Sequence, residues 1–450
     1  MAYPADTIAA LATPVGTSAI AVVRASGPSV AGLVPAIFAA APLPRAAVHA
    51  DYRDHHGQLV DDVLFTFFAA PHSFTGEDTL EISCHGNPFI AQKILEDLLA
   101  RGCRSAEAGE FSKRAFLNGR LDLSQAEAVM DLIHARSDRA LAAANQQLRG
   151  ALGRRMDELI SQLVNILAQI EGYIDFPDED LPAEDRQQVL RHLDELIAGT
   201  HGLSATSHYG ELLREGIKTV ILGEPNAGKS SLLNRLVGRD RALVSPEPGT
   251  TRDYIEERIV VGSHWLRLID TAGLNETPSS LEKRGMDKTL EQAEGADLFL
   301  WVIDSSRPLP ALPAALGQRM NAGNTIAVLN KIDLPPAAQP PLPCAIPVVP
   351  LSALHGTGCE MLRAAISQRI DSFQPVVGDE LIAINARHAQ ALAEATKCLA
   401  TAREKFAERH SGELVASDLR CALEAFGRIS GKIDHEKILD QLFSTFCIGK

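Results

Sequence analysis

The chain has 450 residues, with 43 Lys+Arg against 57 Asp+Glu, a net charge of −14, and 46% apolar against 22% charged residues. At roughly 150 residues per domain this length predicts about three domains, with interior enough for cores that need no disulfide or metal staple. The composition excludes a disordered chain, a collagen-like repeat and a disulfide scaffold, and the acidic balance argues against a general nucleic-acid binder, which carries a basic excess.

The N-terminus, Met1 to Asp6, has neither the basic start and apolar core of a signal peptide nor the arginines of a transit peptide. The most apolar stretch, Gly32 to Pro44, is short and interrupted by Pro35 and Pro42, far from the ~20 residues that span a bilayer. A cytoplasmic protein without membrane contact is expected. The seven cysteines, at 84, 103, 344, 359, 398, 421 and 447, show no C-x-x-C spacing, so they read as reduced thiols and not as a zinc site or disulfide framework.

Along the chain, Met1 to Asn118 mixes short apolar runs (Ser18–Ala25, Val63–Ala69) with Gly/Pro turns and a helical stretch at Ile90–Ala100. That pattern predicts an α+β domain with an open sheet. From Leu121 the pattern is helical, and Leu159, Leu163, Ile166 and Ile170 form one apolar stripe at spacings of 4, 3 and 4. The acidic stretch from Asp175 to Pro182 reads as an exposed loop, Arg186 to Leu213 as further helix, and helix returns after about residue 377 with Leu419, Leu423 and Phe426. Region by region, Gly119–Gly216 holds 9 basic and 17 acidic residues, more than half of the net charge. Two helical stretches around a self-contained α/β segment predict a helical domain (119–215 and 377–450) with another domain (216–376) inserted, because domain termini lie close together.

The inserted segment carries the strongest signal. Lys218–Leu222 is a β-branched run, and Gly223–Ser230 (GEPNAGKS) follows it with the full G-x-x-x-x-G-K-[ST] spacing of a phosphate loop. Backbone N–H groups of Asn226, Ala227, Gly228, Lys229, Ser230 and Ser231 are expected to cradle phosphates, with Lys229 neutralising them and Ser230 ligating Mg²⁺. Leu266–Gly273 is a strand ending in Asp270, followed by Thr271, Ala272 and Gly273 at the γ-phosphate. Thr325–Asp333 is another, ending in Asn330, Lys331 and Asp333. An ionised Asp333 only accepts hydrogen bonds and so selects the two N–H groups of a guanine edge; Lys331 offers its stem to the base, and Ser352 and Ala353 complete the pocket. Four such motifs in order predict a Ras-like P-loop domain that binds GTP. Where Ras-like GTPases carry a water-orienting glutamine after Asp-Thr-Ala-Gly, this chain has Leu274. Catalysis then needs another water-positioning group and another positive charge. Asn226 is a candidate ligand for a monovalent cation that stabilises developing charge, and Glu282 either positions a water or is a solvated surface charge.

The chain resembles one family along its whole length: MnmE (TrmE), bacterial tRNA-modification GTPases. The resemblance is carried by Asp6–Ala9, Phe74–Gly86 (FTGEDTLEISCHG), Gly109–Leu123 (GEFSKRAFLNGRLDL), Gly249–Asp253 (GTTRD) and the terminal Cys447–Lys450 (CIGK). It implies an N-terminal α+β domain (1–118) that dimerises and binds a folate, then the helical domain with its inserted GTPase domain. It implies a K⁺-activated, Mg²⁺-dependent GTPase. Asn226, Ser245, Glu247 and Thr250 map onto K⁺ ligation, Ser230 and Thr251 onto Mg²⁺, and Glu282 onto the catalytic glutamate, while Asp270, whose carboxylate can hold Mg²⁺ through water, is the second catalytic candidate; Pro246, Pro248 and Gly249 fall within the same nucleotide-binding loop. Arg24, Glu81, Arg120 and Lys450 map onto the folate site, which fits a ligand with a carboxylate tail and a donor-rich pterin edge. Cys447 maps near the modification site. The implied function is installation, with an FAD-dependent partner (MnmG), of an aminomethyl-type group at C5 of wobble uridine U34, using a one-carbon tetrahydrofolate. The alternative is an RNA- or ribosome-associated GTP switch that modifies nothing. The −14 charge implies weak binding of tRNA by this chain alone, with much of the RNA surface coming from the partner.

Overall fold

The fold was analysed in a computed structural model that describes residues 6–175, 183–240, 255–270, 291, 293–310, 314–337, 346–373, 382–431 and 449. The chain divides into two compact units, one of residues 1–130, 148–158 and 423–450, the other of residues 131–147 and 159–422. Among the described residues no helix is long and apolar enough to cross a membrane.

The first unit is built on a six-stranded sheet of β1 (Ile8–Leu11), β2 (Ile20–Ser26), β3 (Ala47–Arg53), β4 (Leu59–Phe68), β5 (Thr79–His85) and β6 (Arg104–Ser105), in the order β3-β4-β5-β2-β1-β6. Every pairing is antiparallel except β1 with β6. Side chains alternate between faces with a period of two, so Ala21, Val23 and Ala25 of β2 and Leu80 and Ile82 of β5 enter one core. Helices α1 (Val30–Phe38) and α2 (Pro88–Ala100) supply its other wall, and α3 (Glu110–Leu117) follows. Residues between these, Arg24 and Glu81 among them, take the opposite face. Pro35, expected to interrupt its apolar stretch, lies inside α1. Asn87 caps α2 by accepting from Phe89 N–H, with Pro88 at the first turn where it forfeits no helical bond.

The second unit is built on a sheet of β7 (Ile217–Leu222), β8 (Ile255–Val261), β9 (His264–Asp270), β10 (Leu298–Asp304), β11 (Thr325–Asn330) and β12 (Val348–Pro350), in the order β12-β11-β10-β7-β9-β8. All pairings are parallel except the β8–β9 hairpin. One face packs on α9 (Lys229–Asp240) and on Leu362, Ile366 and Ile370 of a helix spanning Cys359–Asp371; the other buries Trp301, Phe299 and Val220 beside Ala293, Leu316 and Met320. Covered on both faces, β10 is buried at every position, which is why it reads as a continuous apolar run and not as an alternation.

The helices of the chain include α4 (Leu123–His134), α5 (Asp138–Leu148), α6 (Ala151–Asp175), α7 (Ala183–Ser204), α8 (Ser207–Glu215) and, after the sheet, Ala386–Ala407 and Gly412–Ser430. The stripe Leu159, Leu163, Ile166 and Ile170 of α6 is buried as its spacing predicts. The single helix expected over Arg186–Leu213 is two. Thr206, almost fully buried, turns its hydroxyl back to the Leu203 carbonyl, a local bond that competes with helix continuation. Helix α7 packs against Ala386–Ala407, where Arg403 bonds Asp194 at 2.8 Å. Asn385 and His388 form a capping box at the start of that later helix. The cysteine reading needs correction: Cys84, Cys103 and Cys359 are buried free thiols, but Cys398 and Cys421, on facing helices with Cα atoms 6.2 Å apart, are joined by a disulfide. Spacing in sequence does not reveal a pair that only helix packing brings together.

Candidate functional site

At the carboxyl ends of the parallel strands the expected motifs converge. β7 runs into the loop 223–228, which turns directly into α9 at Lys229. The turn needs unusual backbone: Asn226 has φ +64° and Gly228 φ +97°. A Cβ at Gly228 would stand 2.2 Å from Asn330 Nδ2, so glycine is required there for close approach as well as for conformation. Lys229 is buried, and its Nζ donates to the carbonyls of Gly223 and Glu224, both at 2.8 Å, holding the ammonium across the mouth of the loop. The hydroxyl-bearing Ser230 and Ser231 are exposed in the first turn of α9. Asp270 ends β9 and pairs in parallel register with Ile221, which puts its backbone beside the root of the loop.

Asn330 ties these parts together. It is 2% exposed; its Nδ2 donates to Ala227 O at 2.8 Å while its Oδ1 accepts from Ala353 N–H at 2.9 Å. One side chain thus fixes the phosphate loop to the 351–353 loop. Ser352 is buried, Asp333 exposed, and a hydrogen bond from the Ser352 hydroxyl holds the Asp333 carboxyl below its ordinary value, keeping it ionised. Arg235 of α9 braces the same loop by donating to Ala353 O at 3.2 Å and to Leu354 O.

Sequence reasoning missed Asp304. It ends β10 in register with Asn330 and accepts from Lys331 Nζ at 2.7 Å. Burial opposes its ionisation, but the bonds from Lys331 and Ser306 prevail and hold its carboxyl at about 2. Lys331 has φ +65°, and its carbonyl is held by the Ser305 hydroxyl at 2.9 Å. In the sequence Leu298–Asp304 shows only an apolar run ending in Asp; the role of that Asp follows from β10 pairing with β11.

The second constellation lies on the open face of the antiparallel sheet. Arg24 and Glu81 are cross-strand partners, Glu81 and Thr66 likewise, so the three lie in one row. Arg24 Nε and Nη2 reach Glu81 Oε1 at 2.9 and 2.7 Å, its guanidinium lies over the Phe74 and Phe111 rings, and Nη1 donates to Gly449 O at 3.4 Å. Gly449 has φ +96°, and a Cβ there would strike Leu11 O at 2.3 Å. The penultimate residue is therefore seated at the end of β1. Arg120 is exposed and lines, with Thr66, Phe74 and Arg45, a cleft of about 590 Å³. The structure so brings together Arg24, Glu81 and Gly449, with Arg120 in the cleft that Thr66 of the same row lines. Phe74, Phe111 and Thr66 are members that charge-based reasoning did not single out.

Ser245, Pro246, Glu247, Pro248, Gly249, Thr250, Thr251, Thr271, Ala272, Gly273, Glu282, Cys447 and Lys450 lie outside the described residues, as does the expected acidic loop at 176–182.

A phosphate loop at the carboxyl edge of a parallel sheet, braced by an asparagine to a base-side loop, defines the fold of a P-loop GTPase. Comparison with known proteins extends this to the whole chain. Residues 123–447 match the family model described as MnmE helical domain, and residues 7–120 the one described as GTP-binding protein TrmE N-terminus. Proteins named tRNA modification GTPase MnmE are 56% identical in Opitutus terrae (99% of each chain), 45% identical in Akkermansia muciniphila (100% of each) and 40% identical in Aquifex aeolicus (99% of this chain, 100% of the relative). The chain belongs to the MnmE (TrmE) family.

Proposed function

We propose that this chain is the GTP-hydrolysing component of a tRNA modification system, acting at C5 of wobble uridine U34 with a one-carbon tetrahydrofolate. What carries the proposal is that one chain holds a braced phosphate loop and, on a separate sheet, the Arg24–Glu81 pair packed against its own penultimate residue. A bare GTP switch has no use for the second.

In this reading Lys229 leaves the loop carbonyls for the β- and γ-phosphates, and the N–H groups of residues 226–231 cradle them. Asp333 selects guanine, and Asn330 keeps loop and base pocket in register. The donors suit their ions: the Ser230 hydroxyl and Asp270 carboxylate are hard oxygens of the kind Mg²⁺ takes, with Thr251 as a further ligand. Asn226, at the exposed apex of the loop, would hold K⁺ with Ser245, Glu247 and Thr250. That ion supplies the positive charge a missing arginine finger would otherwise bring. Glu282 orients the water. Arg24, Arg120 and Lys450 are cations for a folate tail and Glu81 a carboxylate for its pterin, with Cys447 nearby. The domain layout is 1–118, 119–215 with 377–450, and 216–376. The protein works in the cytoplasm as a homodimer with the FAD-dependent MnmG, which supplies most of the tRNA surface.

The test is nucleoside analysis of tRNA from a strain lacking this chain, complemented by wild type or by Arg24→Ala. The expected result is loss of the C5-modified wobble uridine, restored only by wild type. Normal modification without the chain would leave the GTP-switch reading. GTP turnover in K⁺ and Na⁺ at matched ionic strength tests the cation: equal rates would remove it from the mechanism.

A further inference from the structure

The turn that follows β10 clamps the start of the loop Asn330–Asp333 at three points. Ser305 N–H donates to Asn330 O at 2.8 Å, the Ser305 hydroxyl donates to Lys331 O at 2.9 Å, and Asp304 Oδ2 accepts from Lys331 Nζ at 2.7 Å. The other carboxylate oxygen, Oδ1, accepts from Ser306 N–H at 3.0 Å and from the Ser306 hydroxyl at 2.6 Å, which fixes the orientation of the Asp304 carboxylate. Arg307, an exposed side chain, stands farther from Oδ2, at 3.8 Å.

Two features of this clamp cost free energy. Asp304 is 7% exposed, and burial works against its charge; an apolar side chain often serves such a position at no loss of stability. Lys331 takes φ +65°, a conformation uncommon for a residue with a long side chain. Strain of this kind collects where a ligand must be met by a preset geometry. Both costs have one result. The Lys331 residue is fixed at its carbonyl by Ser305 and at its ammonium by Asp304, and its side chain stays 29% exposed between those anchors. It lies close to Asp333: the Ser352 hydroxyl does most to hold the Asp333 carboxyl below its ordinary value, and the Lys331 charge adds to it.

We infer that Asp304 is a positioning residue for the guanine base: by holding the Lys331 ammonium it presets the lysine's methylene stem as a platform for the face of the purine ring. A lysine left free would lose the rotamer freedom of its stem on binding, among the largest of side-chain costs; here that loss is already taken in the folded protein. The inference rests on Asn330–Asp333 being the guanine site, and it adds the residue that presets Lys331. Edge and face are then controlled separately. Asp333 accepts from the N–H groups of the ring edge, and Asp304, through Lys331, sets how firmly the ring face is held.

The test is GDP binding by the full chain, measured by calorimetry and by release of a fluorescent GDP analogue, for wild type, Asp304→Asn, Lys331→Met and the double variant. Asparagine keeps an oxygen for Ser306 but turns an amide N–H₂ toward Lys331, so the turn is spared and the lysine is released. Asp304→Asn is expected to weaken GDP and GTP alike by about tenfold, through faster release, with the KM for GTP raised and kcat kept. Inosine diphosphate, which lacks the 2-amino group of the ring edge, loses the same factor, so the preference for guanine over hypoxanthine stays as in wild type. In the Lys331→Met background the substitution has no further effect. Should Asp304→Asn fail to fold, Asp304→Glu, which shifts the carboxylate by one methylene, is carried through the same cycle, and its loss must likewise vanish without Lys331. Wild-type affinity in Asp304→Asn, or an equal loss with and without Lys331, overturns the inference and leaves the guanine site standing, provided wild type prefers GDP to ADP. Absence of that preference in wild type overturns both.

Discussion

The two six-stranded sheets place their chemistry differently. In the parallel sheet the candidate residues among those described stand at or just beyond a strand's carboxyl end: the loop after β7, Asp270 ending β9, Asp304 ending β10, Asn330 to Asp333 at the end of β11. Parallel strands all deliver their ends to the same edge, so loops distant in sequence meet there without design of each contact. In the antiparallel sheet the pair Arg24 and Glu81 is mid-strand, and the two meet only because β2 and β5 pair in one register. A one-residue slip of either strand would send its member of the pair to the opposite face, the core. The first site depends on loop geometry, the second on strand register.

The largest break in this comparison is expected at the loop. Gly228→Ala introduces a Cβ at 2.2 Å from Asn330 Nδ2, at φ +97°. Neither partner has room to yield, because Asn330 is held at both ends. GTP affinity should fall roughly a hundredfold, about 2.7 kcal/mol, measured by calorimetry. Retention of 5-formyl-tetrahydrofolate should not change. A parallel loss of folate would mean that the two sites are not separable.

Asn330→Ala sharpens the same point. It leaves Ala227 O and Ala353 N–H without their partner in a buried place, each costing about 1–3 kcal/mol if water cannot enter. GTP affinity is expected to fall roughly tenfold or somewhat more, with a lower melting temperature. Unchanged affinity would show that the loops hold register without it. On the other sheet, Arg24→Ala removes bonds to Glu81 and Gly449. The guanidinium is partly solvated, so the loss is discounted to roughly tenfold in folate affinity, read by equilibrium dialysis, with GTP turnover at saturating GTP as in wild type.

The same contrast explains what was legible beforehand. Phosphate-loop spacing, Asp270 and Asn330–Asp333 are local strings whose chemistry follows from strand-then-loop context, so elementary reasoning found them. Asp304 was passed over because its role depends on β10 lying beside β11, which is topology and not spacing. Arg24 and Glu81 are 57 residues apart, and only resemblance to a family joined them; composition and periodicity could not. The Thr206 break and the Cys398–Cys421 pair were invisible for the same reason, since one is a back-bonded hydroxyl and the other a consequence of helix packing.

The smallest effect concerns the one antiparallel edge of the parallel sheet. His264 opens β9, is 3% exposed, and shares its Nε2 with Asp371 Oδ1 at 2.9 Å. Arg139 of α5 reaches the same carboxylate at 2.6 Å and the Ser263 hydroxyl at 3.2 Å, so hairpin turn, helix and Asp371 form one latch. Burial pushes the His264 imidazole below its ordinary value; Asp371 opposes this, and the nearby Arg139 adds to it. The folded form therefore resists a proton that the unfolded chain accepts, with an unfolded value of about 6.5. Above that pH both forms are neutral and the contribution is fully present; as pH falls through this value toward the folded one, stability is lost. His264→Gln keeps a donor for Asp371 but cannot titrate. Its melting temperature should fall less than that of wild type between pH 7.5 and 5.5, by a few degrees at most. Parallel curves would mean that the latch carries no proton linkage, and that the hairpin edge answers to acid no differently from the buried strands beside it.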